Sequence, residues 1–318
     1  MPPVRIGTRA SALALTQTGH VADALARLGG FEVETVRVRT DGDRMTGSLT
    51  SLGGTGVFVT ALREALLDGR CDVAVHSLKD LPTADPAGLA LGAVPPREDP
   101  RDALCARDGL TLATLPPGAR VGTGSPRRAA QLLAARPDLD VVDIRGNVDT
   151  RLGRVAPGDL DAVVLARAGL ARLGRLDAVT DLFDPSVMAP APGQGALAVE
   201  VRADDAADGS PLARALAALD DAPTRLAVLA ERGLLARLEA GCAAPVGAFA
   251  HLDGSTLTLD AVVVRTDGSR ALRRSGATEV DPDDLLAGAD AAVTLGAALA
   301  DELLAAGAAE LADLGPAR

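Results

Sequence analysis

Residues 120–137, RVGTGSPRRAAQLLAARP, read as a strand, a Gly-Thr turn and a helix, and the segment opening with RIGTRAS (5–11) reads the same way. In that earlier segment apolar positions recur at helical spacing from about Ser11 to Leu28. The likeness continues downstream, where CDVAVHSL (71–78) parallels LDAVVLAR (160–167). Between these landmarks FEVETVRVRT (31–40) alternates as a strand does, and GVFVTALREALLDG (56–69) is a helix closed by Gly69. The second set supplies a strand at DVVDIRG (140–146), a helix around Val148 to Val155 and a strand over DAVVLARAGL (161–170). Alternation of this kind predicts two similar α/β lobes, each a mostly parallel sheet covered by helices.

Two segments rich in Pro and Gly, REDPRDAL (97–104) and MAPAPGQGALAVEVR (188–202), flank the second set and suit crossovers. Two crossings imply a hinged pair of lobes with the second inserted into the first. In such folds ligands bind outside the carboxyl ends of strands, where the marked turns fall. After about Asp221 the pattern changes: a helix through TRLAVLAERGLLARLEAG (224–241), three strand-like runs between about Val246 and Val280, and an Ala-rich helix. That is a separate α+β domain, with Cys242 at its first loop.

Composition narrows the function. A net charge of -11 opposes nucleic-acid binding, and with four Phe and neither Tyr nor Trp the stacking platforms for single strands are missing. Cys71, Cys105 and Cys242 show no paired-ligand spacing, so neither a disulfide framework nor a metal site is indicated. The N-terminus lacks a signal-peptide pattern and no apolar run is long enough for a membrane span, which makes the cytoplasm the expected location. GTGSPRR lacks the ending of a phosphate-binding P-loop, which argues against ATP chemistry.

Any anion site must therefore be local, and arginine marks the places. Arg9, the Arg127 and Arg128 pair, Arg145, Arg151 and Arg172 stand at strand ends and helix starts. Helix N-termini favour anions, and arginine adds bidentate carboxylate recognition. A ligand with many carboxylates would suit that set. Among 32 basic residues Lys79, in HSLKDLPT (76–83), is the one lysine. Lysine is a compact point charge where arginine is a broad planar fork, so a pocket sized for an ammonium would reject the replacement. Lys79 and Asp80 follow a strand directly and could both reach a ligand at the sheet edge, although an Asp there is most often a cap or turn residue. Cys242, in LEAGCAAPVG (238–247), reads either as a buried inert thiol or as a loop nucleophile or attachment point.

Taken together, TRASALAL (8–15), GVFVTALREALLDGRCDVAVHSLKDLPT (56–83), REDPRDAL (97–104), VGTGSPRRAAQL (121–132), DIRGNVDTRL (143–152), LARAGLARLG (165–174), PAPGQGALAVE (190–200) and ERGLLARLEAGCAAPVG (231–247) closely resemble the porphobilinogen deaminase family. The resemblance implies two periplasmic-binding-protein-like α/β lobes, 1–96 with 194–215 and 101–190, and a third, α+β domain at 220–318. It implies a dipyrromethane cofactor held by a thioether to Cys242. It also implies head-to-tail joining of four porphobilinogen molecules with loss of ammonia, then hydrolysis to hydroxymethylbilane, a heme precursor. Asp80 matches the family's catalytic carboxylate, which stabilises the cationic azafulvene left by departing ammonia. Lys79, Ser77, Asp80, Thr123, Ser125, Arg127, Arg128 and Arg145 match cofactor contacts. Arg9, Ser11, Phe58, Arg145, Arg151, Arg172 and Gln194 match substrate contacts.

Departures from the family pattern are Ser51, Thr55 and Thr60, where related sequences often carry lysine, and Ala240 in place of glycine before Gly241 and Cys242. The expected state is a monomer. A non-catalytic two-lobed receptor for a carboxylated small molecule is the alternative, and a covalent group on Cys242 would separate the two.

Overall fold

The computed structural model describes residues 2–38, 56–84, 86–207, 209–241, 244–281 and 284–312. Strand β1 (Val4–Thr8) leads to helix α1 (Ala12–Gly29), which starts where the Ser11 side chain accepts from the Ala14 amide. That bond satisfies one of the amides left without a partner in a first helical turn. Strand β2 (Val33–Arg37), helix α2 (Gly56–Leu67) and strand β3 (Val73–Ser77) follow. The chain leaves β3 in a 3₁₀ turn, Leu78–Asp80, and forms β4 (Leu89–Ala93).

The next stretch repeats the plan with β5 (Asp102–Ala106), β6 (Arg120–Gly122), α3 (Pro126–Ala135), β7 (Asp140–Val142), α4 (Val148–Leu152), β8 (Ala162–Ala166), α5 (Arg167–Arg172) and β9 (Asp181–Leu182). The return strand β10 (Leu197–Arg202) then precedes α6 (Ala203–Ala207), α7 (Pro211–Leu219) and α8 (Ala222–Arg237). The last part holds β11 (Val246–Asp253), β12 (Thr256–Val264), β13 (Ala271–Glu279), α9 (Leu285–Ala305) and α10 (Ala308–Leu311).

The two five-stranded sheets run β2-β1-β3-β10-β4 and β7-β6-β8-β5-β9. In each, the second strand of that order, β1 or β6, pairs in parallel with both neighbours, and a fourth strand then pairs antiparallel with the third. The parallel part is as expected, whereas the fourth strand comes from the crossovers. The first sheet borrows the returning β10, and the second uses the entering β5.

The RIGT and RVGT match extends to side chains. The Arg5 amide donates to Asp72 Oδ2 at 3.0 Å, and Arg202 Nη2 donates to Oδ1 at 3.1 Å. In the second lobe the Arg120 amide donates to Asp161 Oδ2 and Arg107 Nε to Oδ1, both at 2.7 Å. Each aspartate thus ties its first parallel strand to its antiparallel one.

Helices cover both faces of the first sheet. α1 and α7 bury Val21, Leu25, Leu212 and Leu216 on one face, and α2 buries Leu62 and Leu66 on the other. The third sheet, β11-β12-β13, is antiparallel throughout and shares a core with α8 and α9. Contacts group residues 1–97 with 196–225, and residues 98–195 with 226–317. Two of the three hand-offs fall inside the Pro/Gly segments, and the third falls within α8.

Some local readings change. The run DAVVLARAGL stops being a strand at Ala166, because Arg167–Arg172 coil into a helix that buries Ala168, Gly169 and Leu170. The helix at Val148 ends at Leu152 rather than near Val155, with Gly153 as its cap. Cys71 and Cys105 are buried, and burial pushes the Cys105 thiol up to about 12. No helix among the described residues is long and apolar enough to cross a membrane.

Gly195, where the second crossover ends, has φ +89°, and a Cβ there would collide with the Glu98 carbonyl. Gly195→Ala should lower stability by roughly 1–3 kcal/mol through the backbone conformation alone, with the collision adding to it. A thermal melt of purified protein checks this.

Candidate functional site

In the first lobe the parallel strands β1 and β3 are neighbours, so the segments that leave their carboxyl ends emerge side by side. One carries Arg9 and the cap residue Ser11, the other Ser77, Lys79 and Asp80. A bond joins them: Gln17 Nε2 on α1 donates to Ser77 Oγ at 2.9 Å. Beneath, Thr18 Oγ1 donates to Thr8 Oγ1 at 2.7 Å, which holds the second turn of α1 to the end of β1. Asp80 is half-buried in the 3₁₀ turn and makes no hydrogen bond or ion pair among the described residues. Its carboxylate oxygens are therefore available to a ligand. Lys79, also half-buried, is beside it.

The second lobe brings its candidates to the carboxyl ends of β6, β7 and β8. Thr123 follows β6, and its Oγ1 accepts from the Ser125 amide at 3.2 Å. Ser125 caps α3 by accepting from the Arg128 amide at 3.5 Å, and Pro126 occupies the first helical position. Arg145 follows β7 and pairs with Asp143 at 3.2 Å. Arg151 on α4 donates to the Gly146 carbonyl at 2.8 Å, and Arg172 on α5 to that of Gly195 at 2.7 Å.

Arg127 and Arg128 have a more specific assignment than the sequence suggested. Both point inward to Asp102, which is 0% exposed. Arg127 Nη1 lies 2.8 Å from Asp102 Oδ2, while Arg128 donates to Oδ1 through Nε at 3.0 Å and Nη2 at 2.8 Å. Gln194 Nε2 donates to the same Oδ1 at 2.8 Å and to the Pro100 carbonyl at 2.7 Å. Burial pushes the Asp102 carboxyl up, but Arg127 and Arg128 outweigh that and hold it well below the usual range. Arg127 Nε is buried without a hydrogen-bond partner among the described residues.

The charges do not balance. Asp102 and Asp143 are the carboxylates set against Arg127, Arg128, Arg145 and Arg151. Burial lowers the Arg151 guanidinium below its ordinary value, Arg128 and Arg145 lower it further, and Asp143 only partly offsets them. Burial likewise lowers Arg172, with Glu98 opposing. Cations that depress one another in a half-buried place favour an incoming anion. A carboxylated pyrrole chain fits that donor set. Among the described residues no cluster of His, Cys, Asp or Glu could hold a metal ion.

Phe58 is in the first turn of α2, but its side chain, together with Cys242, Ser51 and Thr55, lies outside the described residues. Sequence reasoning missed Asp102 and Gln17. Asp102 sits in the quoted REDPRDAL, yet only the folded chain sets it against residues 127 and 128. Gln17 belongs to the apolar-patterned helix, and its burial was the available signal.

A family model described as porphobilinogen deaminase, dipyromethane cofactor binding domain, matches residues 4–208, and one for the porphobilinogen deaminase C-terminal domain matches residues 225–305. The porphobilinogen deaminase of Leifsonia xyli subsp. xyli is 61% identical over 98% of this chain and 94% of its own. That of Cutibacterium acnes is 58% identical over 99% and 98%. Among solved structures, a periplasmic substrate-binding protein of an ABC transporter from Coxiella burnetii matches 68% of this chain and 91% of its own, at 17% identity and a TM-score of 0.44.

Asp102→Asn would leave two buried guanidinium groups without their counter-charge, at a cost of about 3–5 kcal/mol near neutral pH. Because the folded-state pKa of Asp102 is depressed, its contribution is full above the unfolded carboxyl value and lost as pH falls below about 3.9. Denaturant titrations should therefore show a large gap between wild type and variant at pH 7 that narrows below pH 4.

Proposed function

The chain belongs to the porphobilinogen deaminase family, and from that premise we propose that Asp80 is its catalytic carboxylate and that Arg9 in the first lobe and Arg145, Arg151 and Arg172 in the second are its carboxylate receptors. The family's reaction joins four porphobilinogen molecules head to tail, releases one ammonia at each addition, and ends with hydrolysis to hydroxymethylbilane. The observation that carries the assignment is the half-buried Asp80 without a side-chain partner among the described residues, one residue from the single lysine of the chain.

When substrate nitrogen leaves as ammonia, positive charge develops over the pyrrole ring and its N–H. A carboxylate fixed beside that N–H accepts its hydrogen bond and stabilises the charge where it forms. The same group can take the ring proton that is lost when the new bond is made. Lys79 offers a compact charge for a substrate acetate or propionate, and from the neighbouring turn Arg9 offers a planar guanidinium and Ser11 a hydroxyl. In the second lobe Arg145, Arg151 and Arg172 receive further carboxylates. Arg127, Arg128 and Gln194 act from the buried side by holding the electrostatic field through Asp102, and Thr123 and Ser125 supply hydroxyls at the start of α3.

The residues present fit a dipyrromethane, since each of its rings bears carboxylates and the second lobe has excess cationic charge. Attached through Cys242, it supplies the pyrrole carbon from which the chain is extended. We assign residues 220–318 to a third domain that carries it. We place the protein in the cytoplasm as a monomer.

Intact mass under denaturing conditions tests the reading. A mass excess of two linked pyrrole units that disappears in Cys242→Ser is expected; an unmodified protein that also fails to gain mass on incubation with porphobilinogen would favour the receptor alternative. Asp80→Ala should fold, keep its melting temperature and lose roughly 10²- to 10⁴-fold in turnover, as read by porphobilinogen consumption. A near-normal rate would remove Asp80 from the mechanism.

A further inference from the structure

The first lobe contains a buried ion pair, with a histidine beside it, that has no part in the chemistry above. Glu200 on β10 accepts from Arg63 on α2, Nη2 to Oε1 at 2.8 Å and Nε to Oε2 at 3.1 Å. His76 Nε2 on β3 lies 3.1 Å from the same Oε2. Their side chains are 4% exposed for Glu200, 5% for His76 and 15% for Arg63. Burial pushes the Glu200 carboxyl up, but His76 and Arg63 outweigh it and hold it down at about 2, so Glu200 is an anion near neutral pH.

Stability does not explain such a group. Its neighbours are apolar, with Leu62, Ala65 and Leu66 of α2 packed on Ala74 and Leu89. Well-packed apolar residues often replace a buried ion pair with no loss of stability or with a gain. Apolar packing tolerates sliding, however, whereas a guanidinium meeting both oxygens of a carboxylate fixes direction and distance. The backbone is shaped for the same purpose. The pairing of β10 with β4 shifts register between Val199 and Glu200, opposite Leu91 and Ala93, and such irregularities re-aim a side chain.

The elements joined are those that approach the substrate. β3 runs from His76 directly into Ser77, Lys79 and Asp80, and α2 begins two residues before Phe58. Glu200 accepts hydrogen bonds from Arg63 of α2 and lies against His76 of β3.

We propose that Glu200, acting with Arg63 and His76, is a positioning residue for the condensation, fixing α2 against the end of β3 so that the Lys79–Asp80 turn keeps its place relative to that helix. This rests on the role given to Asp80, which Asp80→Ala tests separately. Misplacement of a reacting group by about 1 Å can cost on the order of 10²-fold in rate.

The double variant Arg63→Met with Glu200→Gln removes both charges and leaves the glutamine oxygen to accept from His76. It should melt at or above the wild-type temperature and carry the same mass excess. Its kcat for porphobilinogen should fall about tenfold or more while KM stays within about threefold. Wild-type kcat in the folded, mass-shifted double variant would overturn the proposal and leave the cluster as a fold element only. Should the double variant fail to fold, Glu200→Gln alone is read by the same kcat and KM criterion, with normal kcat again overturning it. Absence of turnover in the wild type would count against the assigned reaction and not against the cluster.

Discussion

Asp102 accepts hydrogen bonds from Arg128 and Gln194 and pairs with Arg127 while excluded from water, and much of the second lobe is built on that carboxylate. It is the first residue of the entering strand, Arg128 lies in the first turn of α3, and Gln194 belongs to the returning crossover. One anion therefore fixes a strand, a helix and a connection. Breaking a buried cluster of this kind is costly because the remaining charges have no solvent to turn to. Two guanidinium groups share the single carboxylate, so the arrangement is also incomplete as a charge balance, which prepares the lobe for anions.

A comparable logic governs each lobe at its opposite edge. Asp72 and Asp161 accept from the first parallel strand of their sheets and from an arginine at the end of the antiparallel strand. These contacts lie at the amino ends of the parallel strands, away from the turns that carry Asp80 and Thr123. Structural pairing and the candidate ligand side chains are thus separated along the strands. Loops can carry the chemistry while the opposite edge keeps register.

Much of the site could be read from motifs because the relevant turns follow strands immediately. Ser77, Lys79 and Asp80 are consecutive or nearly so, and Thr123 and Ser125 sit within one turn, so local spacing put these candidates at strand ends, where the structure has them. The direction of Arg127 was not readable. Two adjacent arginines at a helix start look like ligand groups, and only the folded chain shows that both also reach the buried Asp102. The fourth, antiparallel strand of each sheet was equally hidden, since its partner is remote in sequence. The run after Ala166 looked like strand because apolar residues continued through Leu170; tertiary packing used them as the buried face of a helix instead.

The sequence by itself determined the alternation of strands and helices, the two crossovers, the paired lobes and the turns that bear Lys79 and Asp80, because periodicity, capping residues and Pro/Gly segments are local properties. Tertiary structure decided which strands are antiparallel, which arginines face inward, and that Glu200 meets both Arg63 and His76. Those outcomes depend on burial, where an ion must find a partner from whatever element the fold brings near.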